Sequence, residues 1–349
     1  MRILVATVQV PFIRGGAEIL ADGLIAALRA VGHQAELVTM PFRYGDHGDI
    51  ERSVAAWAGQ DFSTFDAGSV DRVICLKFPT WSLVHPNKSV WMLHQHRAAY
   101  ELFGTPHGYP DDDEGRRLRD SVMAVDQRYL RNLNGISTIA RRVCERLRAS
   151  TGLHSTAVYH PPSAAEAFYT GDQLPYIFFP SRLEALKRQE LLIRAAAICR
   201  APVGFVIAGD GGLRHELQVL IDRLDLSARV RLVGRVSANE MRAWYANALG
   251  VFFGPFDEDY GYVTLEAMLS AKPVITCTDS GGPLEFVLDG VTGAVVPASP
   301  ETVARAIDAL FESPDRAAAM GRAGRQRYAD LEIGWDHVLD ALLNPQGPG

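Results

Sequence analysis

The chain has 349 residues, a length for two domains rather than one core. Apolar residues make up 48% and charged residues 22%, which excludes a disordered chain, and the net charge of −6 argues against general nucleic-acid binding. Cys75, Cys144, Cys199 and Cys277 fit no metal or redox spacing and read as buried thiols of a reducing compartment. No stretch approaches the roughly 18 apolar residues of a membrane span, and the apolar start Met1–Ala6 is too short for a signal peptide, so a cytoplasmic location is expected.

Arg2–Val10 reads as a strand, Pro11–Gly16 as a loop, and Ala17–Val31 as a helix with apolar residues at Ile19, Leu20, Leu24, Leu28 and Val31. Gly32 closes the helix, and Gln34–Met40 is the next strand. This unit predicts parallel strands joined by a right-handed crossover. Gly15-Gly16 is not the Gly-x-Gly-x-x-Gly dinucleotide fingerprint. The pair is either a tight turn or a set of backbone amides open to a ligand. Val73–Leu76 and Ser89–Leu93 are further strands, the second leading into His94-Gln95-His96-Arg97. No third ligand stands at metal spacing, so no metal site is expected. The two histidines are either hydrogen-bonding loop residues or one of them reaches a site.

Gly104–Gly115 is a polar, turn-rich segment expected to be a mobile rim loop. From Gly115 to Ser150 there are nine arginines against Asp120, Asp126 and Glu145. These are either two helices with solvated faces or a basic face for an anionic membrane or a lipid diphosphate. Asn134–Ile139 reads as a strand, with Ser137-Thr138 placed to face a cleft. Thr156–Tyr159 is the last strand of this half, and His160-Pro161-Pro162-Ser163 reads as a linker.

Tyr176–Phe179 opens a second sheet, followed by a loop carrying Arg182 and Lys187 and a helix over Gln189–Cys199. A planar fork and a mobile point charge suit the two charges of a diphosphate, although solvated surface cations are common. Val203–Ala208 leads into Gly209-Asp210-Gly211-Gly212, a strand-to-helix turn. Val230–Val233 precedes Arg235 and Val236, and Ser237 with Glu240 forms a capping box for the helix Ala238–Asn247. The strand Leu249–Phe253 then leads to Glu258 in a loop and Glu266 in a helix over Val263–Leu269, with Gly261 at the turn between them. The amides of Tyr260, Gly261, Tyr262 and Val263 form a helix N-terminus suited to phosphate, and Glu258 can accept from sugar or ribose hydroxyls. Pro273–Cys277 and Asp279-Ser280-Gly281-Gly282 make a second strand–loop–helix unit beside the first, which describes a nucleotide-type cleft.

The stretch Glu258-Asp259-Tyr260-Gly261-Tyr262, ending in Leu265-Glu266-Ala267-Met268, resembles the signature of retaining glycosyltransferases of family 4, of the GT-B fold. Asp259 stands where that family usually has glycine. The resemblance extends to Gly15-Gly16, to the histidine after the fourth strand, and to Arg182 with Lys187 five residues later. It implies an α/β protein of two Rossmann-like domains facing each other across a cleft. Residues 1–163 would bind the acceptor, 164–328 the nucleotide-sugar donor, and 329–349 would form a helix crossing back to the first domain and a disordered tail.

The reaction so implied moves a hexosyl group from a GDP- or UDP-linked sugar to an acceptor hydroxyl with retention, without metal or cofactor, in bacterial surface polysaccharide or glycolipid synthesis. Arg182 and Lys187 would hold the diphosphate, Glu258 and residues 259–263 the sugar and phosphate, and Glu266 the ribose. Gly15, Gly16 and Gly209 would border the phosphates, and Arg235 and Val236 the base. His94, with His96 as the other candidate, would approach the sugar. The acceptor would be a glycan or lipid-linked molecule, met at the inner face of the membrane if the basic segment binds there. A nucleotide-sugar 2-epimerase of the same fold and a non-catalytic sugar-nucleotide-binding protein are the other readings.

Overall fold

The computed structural model describes residues 1–43, 47–131, 133 and 135–344. Asn134, the expected first residue of a strand, and the tail 345–349 lie outside the described residues. The chain forms two compact units, Met1–His160 together with the segment from Gly334 onward, and Pro161–Ile333.

In the first unit the strands are β1 (Arg2–Gln9), β2 (Gln34–Pro41), β5 (Arg72–Cys75), β6 (Lys88–Met92), β7 (Ile136–Thr138) and β8 (Thr156–Ala157). They run parallel in the order β2-β1-β5-β6-β7-β8. The chain first steps from β1 to β2 and later to β5 on the opposite side, so the topological switch lies between β1 and β5. Residues on both faces of β1 and β5 are buried, as a sheet covered by helices requires. The helices are α1 (Gly16–Ala30), α2 (His47–Ala58), α3 (Asp113–Leu130) and α4 (Arg141–Thr151), and a short hairpin pairs β3 (Thr64–Phe65) with β4 (Gly68–Ser69).

Helix α1 starts one residue earlier than expected because Gly15 takes the N-cap and its amide donates to Glu18 Oε2 at 2.7 Å. Segment 104–115 is tied down rather than free-running. Gly104 N donates to the Tyr109 carbonyl (2.8 Å), Tyr109 N to that of Ala98 (3.0 Å), and Tyr109 is buried. Thr138 is fully buried and donates to the Ala140 carbonyl, so it faces no opening. The last helix, α12 (Trp335–Leu343), packs on α1. A side chain at Gly23 would stand 2.5 Å from the Trp335 ring, and that ring also meets Trp91 and His160. Arg72 donates to the Leu342 and Leu343 carbonyls at 2.6 and 2.8 Å, filling acceptors that a helix end leaves open.

The second unit repeats the plan. Its strands are β9 (Leu174–Pro180), β10 (Gly204–Ala208), β11 (Val230–Gly234), β12 (Ala248–Phe252), β13 (Val274–Cys277) and β14 (Gly293–Val296), parallel in the order β11-β10-β9-β12-β13-β14. The switch lies between β9 and β12. Every residue of β12 and β13 is buried, which matches their unbroken apolar sequences. Helices α5 (Gln189–Ile198), α6 (Arg214–Arg223), α7 (Ala238–Asn247), α8 (Tyr262–Leu269), α9 (Pro283–Phe286), α10 (Pro300–Glu312) and α11 (Pro314–Asp330) connect and cover the strands. No described helix is long and apolar enough to cross a membrane.

Candidate active site

In the second unit the switch between β9 and β12 sends two loops out of neighbouring strand ends. Such a crevice is where open parallel sheets bind ligands. The β9 loop carries Arg182 and Lys187, and the β12 loop carries Glu258. Lys187 Nζ donates to Glu258 Oε2 at 2.5 Å, and the ammonium also lies 5.8 Å from the centre of the Phe253 ring. Both side chains are mostly buried, at 16% and 21% exposure, so the contact has the strength of a charge-assisted bond in poor solvent. Arg182 is the more open cation, half exposed, with an ion pair to Glu184 at 2.8 Å. Its backbone is fixed by Gln189, whose amide donates to the Arg182 carbonyl and to Ser181 Oγ, both at 2.7 Å.

The Glu258 loop rests on the β13 loop. Glu258 N donates to the Ser280 carbonyl (2.9 Å), and Gly282 N to the Glu258 carbonyl (2.8 Å). A Cβ at Gly281 would come within 2.5 Å of the Glu258 oxygen, and one at Gly282 within 2.7 Å of the Asp259 and Tyr260 oxygens. The two glycines are therefore required by backbone-to-backbone contact. Sequence reasoning passed over Arg188, which clamps the same loops together. Its guanidinium makes two parallel bonds to Asp279 at 2.8 and 2.7 Å and stacks 5.1 Å from the Phe256 ring centre. Nothing in the local sequence marks it, because its partner lies 91 residues away and meets it only through the strand order.

Helix α8 begins at Tyr262, with Gly261 at its N-cap in the left-handed region at φ +91°. Gly261 could not be replaced without strain, since an added Cβ would lie 3.0 Å from Pro283. Tyr262 and Val263 occupy the first helical positions. Tyr260 is buried edge-on against Tyr262 and Phe286. Glu266 lies one turn further along α8, partly buried, and accepts from the Tyr245 hydroxyl at 2.6 Å. Burial raises its pKa, and the Tyr245 hydrogen bond opposes that rise.

Gly209 has φ +133°, and a Cβ there would fall 1.9 Å from the Ser181 oxygen, so packing against the β9 loop already accounts for this glycine. Arg235 is 85% exposed and makes a long ion pair to Asp210 at 3.6 Å. Val236 is partly buried on the core of this unit.

In the first unit, His94 and His96 follow β6. His96 is buried among Phe42, Phe78 and Tyr109, and its Nε2 is 2.7 Å from the Tyr109 hydroxyl. Burial, with the nearby charges of His94 and Lys77, pushes its pKa down to about 3. His94 is only partly buried, with Nδ1 at 2.6 Å from the Gln95 carbonyl. Gly15 and Gly16 open α1 after β1. No group of acidic, histidine or cysteine side chains able to hold a metal occurs among the described residues.

The nine arginines of 115–150 do not all stand free. Arg116 pairs with Asp111 and Asp113, Arg142 with Glu145, and the largely buried Arg146 with Glu101, while Arg119 stacks on Phe103.

Residues 166–327 match the model of the family described as glycosyl transferases group 1. The chain is 36% identical over 247 residues to the GDP-mannose-dependent alpha-(1-6)-phosphatidylinositol monomannoside mannosyltransferase of Mycolicibacterium smegmatis, covering 62% of this chain and 64% of that protein. It is 32% identical over 208 residues to the D-inositol 3-phosphate glycosyltransferase of Mycobacterium avium, covering 53% and 47%. The chain thus spans about half to under two thirds of the length of these relatives. Among solved structures it superposes on sucrose-phosphate synthase from Thermosynechococcus elongatus with a TM-score of 0.80 at 18% identity, over 99% of this chain and 98% of that one. On Anabaena HepE in complex with UDP and glucose the TM-score is 0.73 at 18% identity, over 99% and 100%. The family match spans nearly all of the second unit, from the linker through β9 and the two acidic residues to α11, and the likeness in fold runs over both units. The second unit thus resembles the glycosyl transferases group 1 family over nearly all of its length, and the chain has the GT-B fold.

Proposed function

We propose that the protein is a retaining hexosyltransferase that uses a nucleoside diphosphate sugar and needs no metal. The observation that carries this reading is the Lys187–Glu258 pair at the β9/β12 switch, a cation for a diphosphate beside an acceptor for sugar hydroxyls. Arg182 and Lys187 hold the two phosphates and stabilise the charge that grows on the leaving diphosphate. Glu258 and the amides at the start of α8 hold the sugar and the phosphate, and Glu266 accepts from the ribose. Gly15, Gly16 and Gly209 line the phosphates, and the backbone at Arg235 and Val236 borders the base. His94 serves the sugar, because His96 is enclosed by aromatic rings.

In the proposed step the bond between C1 of the sugar and the phosphate oxygen breaks as the acceptor oxygen bonds to C1 from the same face. The acceptor proton passes to an oxygen of the departing diphosphate. A GDP-linked donor is supported by the name of the mannosyltransferase relative, and a UDP-linked one by the HepE complex. The acceptor is a glycan or lipid-linked hydroxyl compound. The exposed Arg117, Arg128 and Arg148 support peripheral contact with an anionic membrane on its cytoplasmic side.

The test is a thermal-shift panel of GDP, UDP and their sugars, with chelator present, on the wild type and Glu266→Ala. A ligand at a hundred times its Kd stabilises by about 2.7 kcal/mol. One nucleotide shifting the wild type and not the variant supports the donor site. No shift from any member of the panel overturns it.

A further inference from the structure

Strand β2 closes one side of the first sheet, and its outer edge meets no other strand among the described residues. Gln34 N donates to the Met1 carbonyl and Phe42 N to that of Gln9, both at 2.9 Å. By alternation the backbone groups of Gln34, Glu36, Val38 and Met40 turn to β1, and those of Ala35, Leu37, Thr39 and Pro41 turn outward. Among the described residues only one outward group has a partner, the Ala35 carbonyl, which accepts from Arg29 Nε at 2.9 Å. A strand edge left open pairs with another chain unless something blunts it. The other edges of the two six-stranded sheets are blunted. β8 has two residues and β14 four, and β11 combines a register shift with the exposed Arg231. β2 has eight residues in unbroken register, no lysine, arginine or interior proline, and an exposed Leu37.

We propose that β2 pairs antiparallel with β2 of a second copy of this chain, on a two-fold axis through Val38. In that register Leu37 faces Thr39 of the second copy, and each such pair exchanges both N–H···O bonds. Ala35 N donates to the Pro41 carbonyl of the second copy. The return bond is the one that neither residue needs, since Pro41 has no N–H and the Ala35 carbonyl is held by Arg29. A shift of the pairing by two residues, to an axis through Leu37, would instead set Thr39 N against the occupied Ala35 carbonyl. The side chains agree with the axis at Val38. Glu36, the only charge on β2, falls opposite Met40, so no like charges meet, and Val38 packs on its own copy. A cavity of about 640 Å³ beside the edge, walled by Glu36, Val38, His33 and Phe65, lies where Met40 of the second copy would project. The pairing joins two sheets into one and points the carboxyl ends of their strands in opposite directions. Each copy therefore keeps its own loops at Gly15-Gly16 and His94, and the proposal does not rest on the transferase reading.

The experiment is sedimentation velocity on the full chain across a range of concentrations, comparing wild type, Leu37→Lys and Thr39→Pro. Wild type should pass from the 38.2 kDa monomer to twice that mass as concentration rises. Leu37→Lys sets a charge on the edge, and Thr39→Pro removes an N–H that bonds nothing within one copy. Each should raise the dimer Kd at least about tenfold, because symmetry counts every lost contact twice. Leu37 is exposed within one copy, so Leu37→Lys carries the test if Thr39→Pro fails to fold. Mild oxidation of Val38→Cys and Leu37→Cys reads the register. Val38→Cys should give a disulfide-linked dimer beyond the wild-type background and Leu37→Cys little, since only Val38 faces its own copy. A wild type that stays monomeric up to about 100 μM overturns the proposal and leaves the edge to a strand of another protein. So does a dimer that both edge variants leave intact, or cross-linking through Leu37→Cys alone. No nucleotide or acceptor enters these measurements, so a failed donor panel leaves their outcome readable.

Discussion

Tyr245 donates its hydroxyl to Oε2 of Glu266 at 2.6 Å, while Oε1 of that carboxylate makes no hydrogen bond among the described residues. One oxygen is spent on holding the carboxylate in place and the other remains to accept from a ligand. Burial raises the pKa of Glu266, and the Tyr245 bond opposes that rise. Tyr245→Phe removes the opposing bond, so the pKa should climb further. If Glu266 accepts from the donor as proposed, donor affinity should then fail at a higher pH than in the wild type. Measuring Kd for the nucleotide from pH 5 to 8 checks this, and an unmoved midpoint in the Phe variant rules it out.

Gly281 and Gly290 have the same φ of +73° but different surroundings. A Cβ at Gly281 would meet the Glu258 oxygen at 2.5 Å, whereas one at Gly290 meets nothing within 4 Å. Gly290→Ala should cost about 1 kcal/mol, the strain of the left-handed backbone alone. Gly281→Ala should cost roughly 1–3 kcal/mol more, from overpacking against the Glu258 loop, and should weaken donor binding as well. Urea melts of the two variants read the difference directly. Equal losses would mean that the Glu258 loop does not lean on Gly281.

Much of this was legible in the sequence, for a physical reason. Parallel strands buried on both faces give unbroken apolar runs such as Leu249–Phe253, and each run ends where a ligand loop begins. Arg182, Lys187, Glu258 and Glu266 stood out only through the resemblance to family 4, since each alone reads as readily as a solvated surface charge. Contacts between distant loops left no such mark. The Arg188–Asp279 clamp and the gathering of Trp81, Gln95 and Tyr100 on Asp126 depend on strand order, which no local spacing encodes. The burial of Thr138 and His96 was equally hidden, since polar residues at strand ends read alike whether they face inward or outward.

Lys187 and Glu258 are unequal partners on removal. Lys187→Met leaves a carboxylate with only 21% exposure and no cation, which should cost about 1–3 kcal/mol. Glu258→Gln keeps an oxygen for the ammonium to bond and should cost under about 1 kcal/mol. Both should lower kcat/KM, by about 10²–10³-fold for Lys187→Met, since a charge facing the leaving group is lost. Melting curves together with steady-state rates separate the two effects. A Lys187→Met enzyme with normal turnover would remove Lys187 from the mechanism.

Asp126 lies fully buried beneath the segment that carries His94. It accepts from Trp81 Nε1 at 3.0 Å, the Tyr100 hydroxyl at 2.7 Å and Gln95 Nε2 at 3.4 Å. Burial pushes its pKa up from 3.8 to about 6, with these hydrogen bonds limiting the rise. An acid whose folded pKa is raised binds more protons folded than unfolded between those two values. Stability from this group therefore falls as pH climbs from about 4 to 6 and is level above, a total of about 3 kcal/mol. Asp126→Asn has no such slope, so the stability of wild type minus variant should shrink by that amount between pH 4 and 7. Denaturant melts across the window give the curve. A difference that stays flat would mean that Asp126 titrates normally and that its three donors, rather than burial, decide its charge.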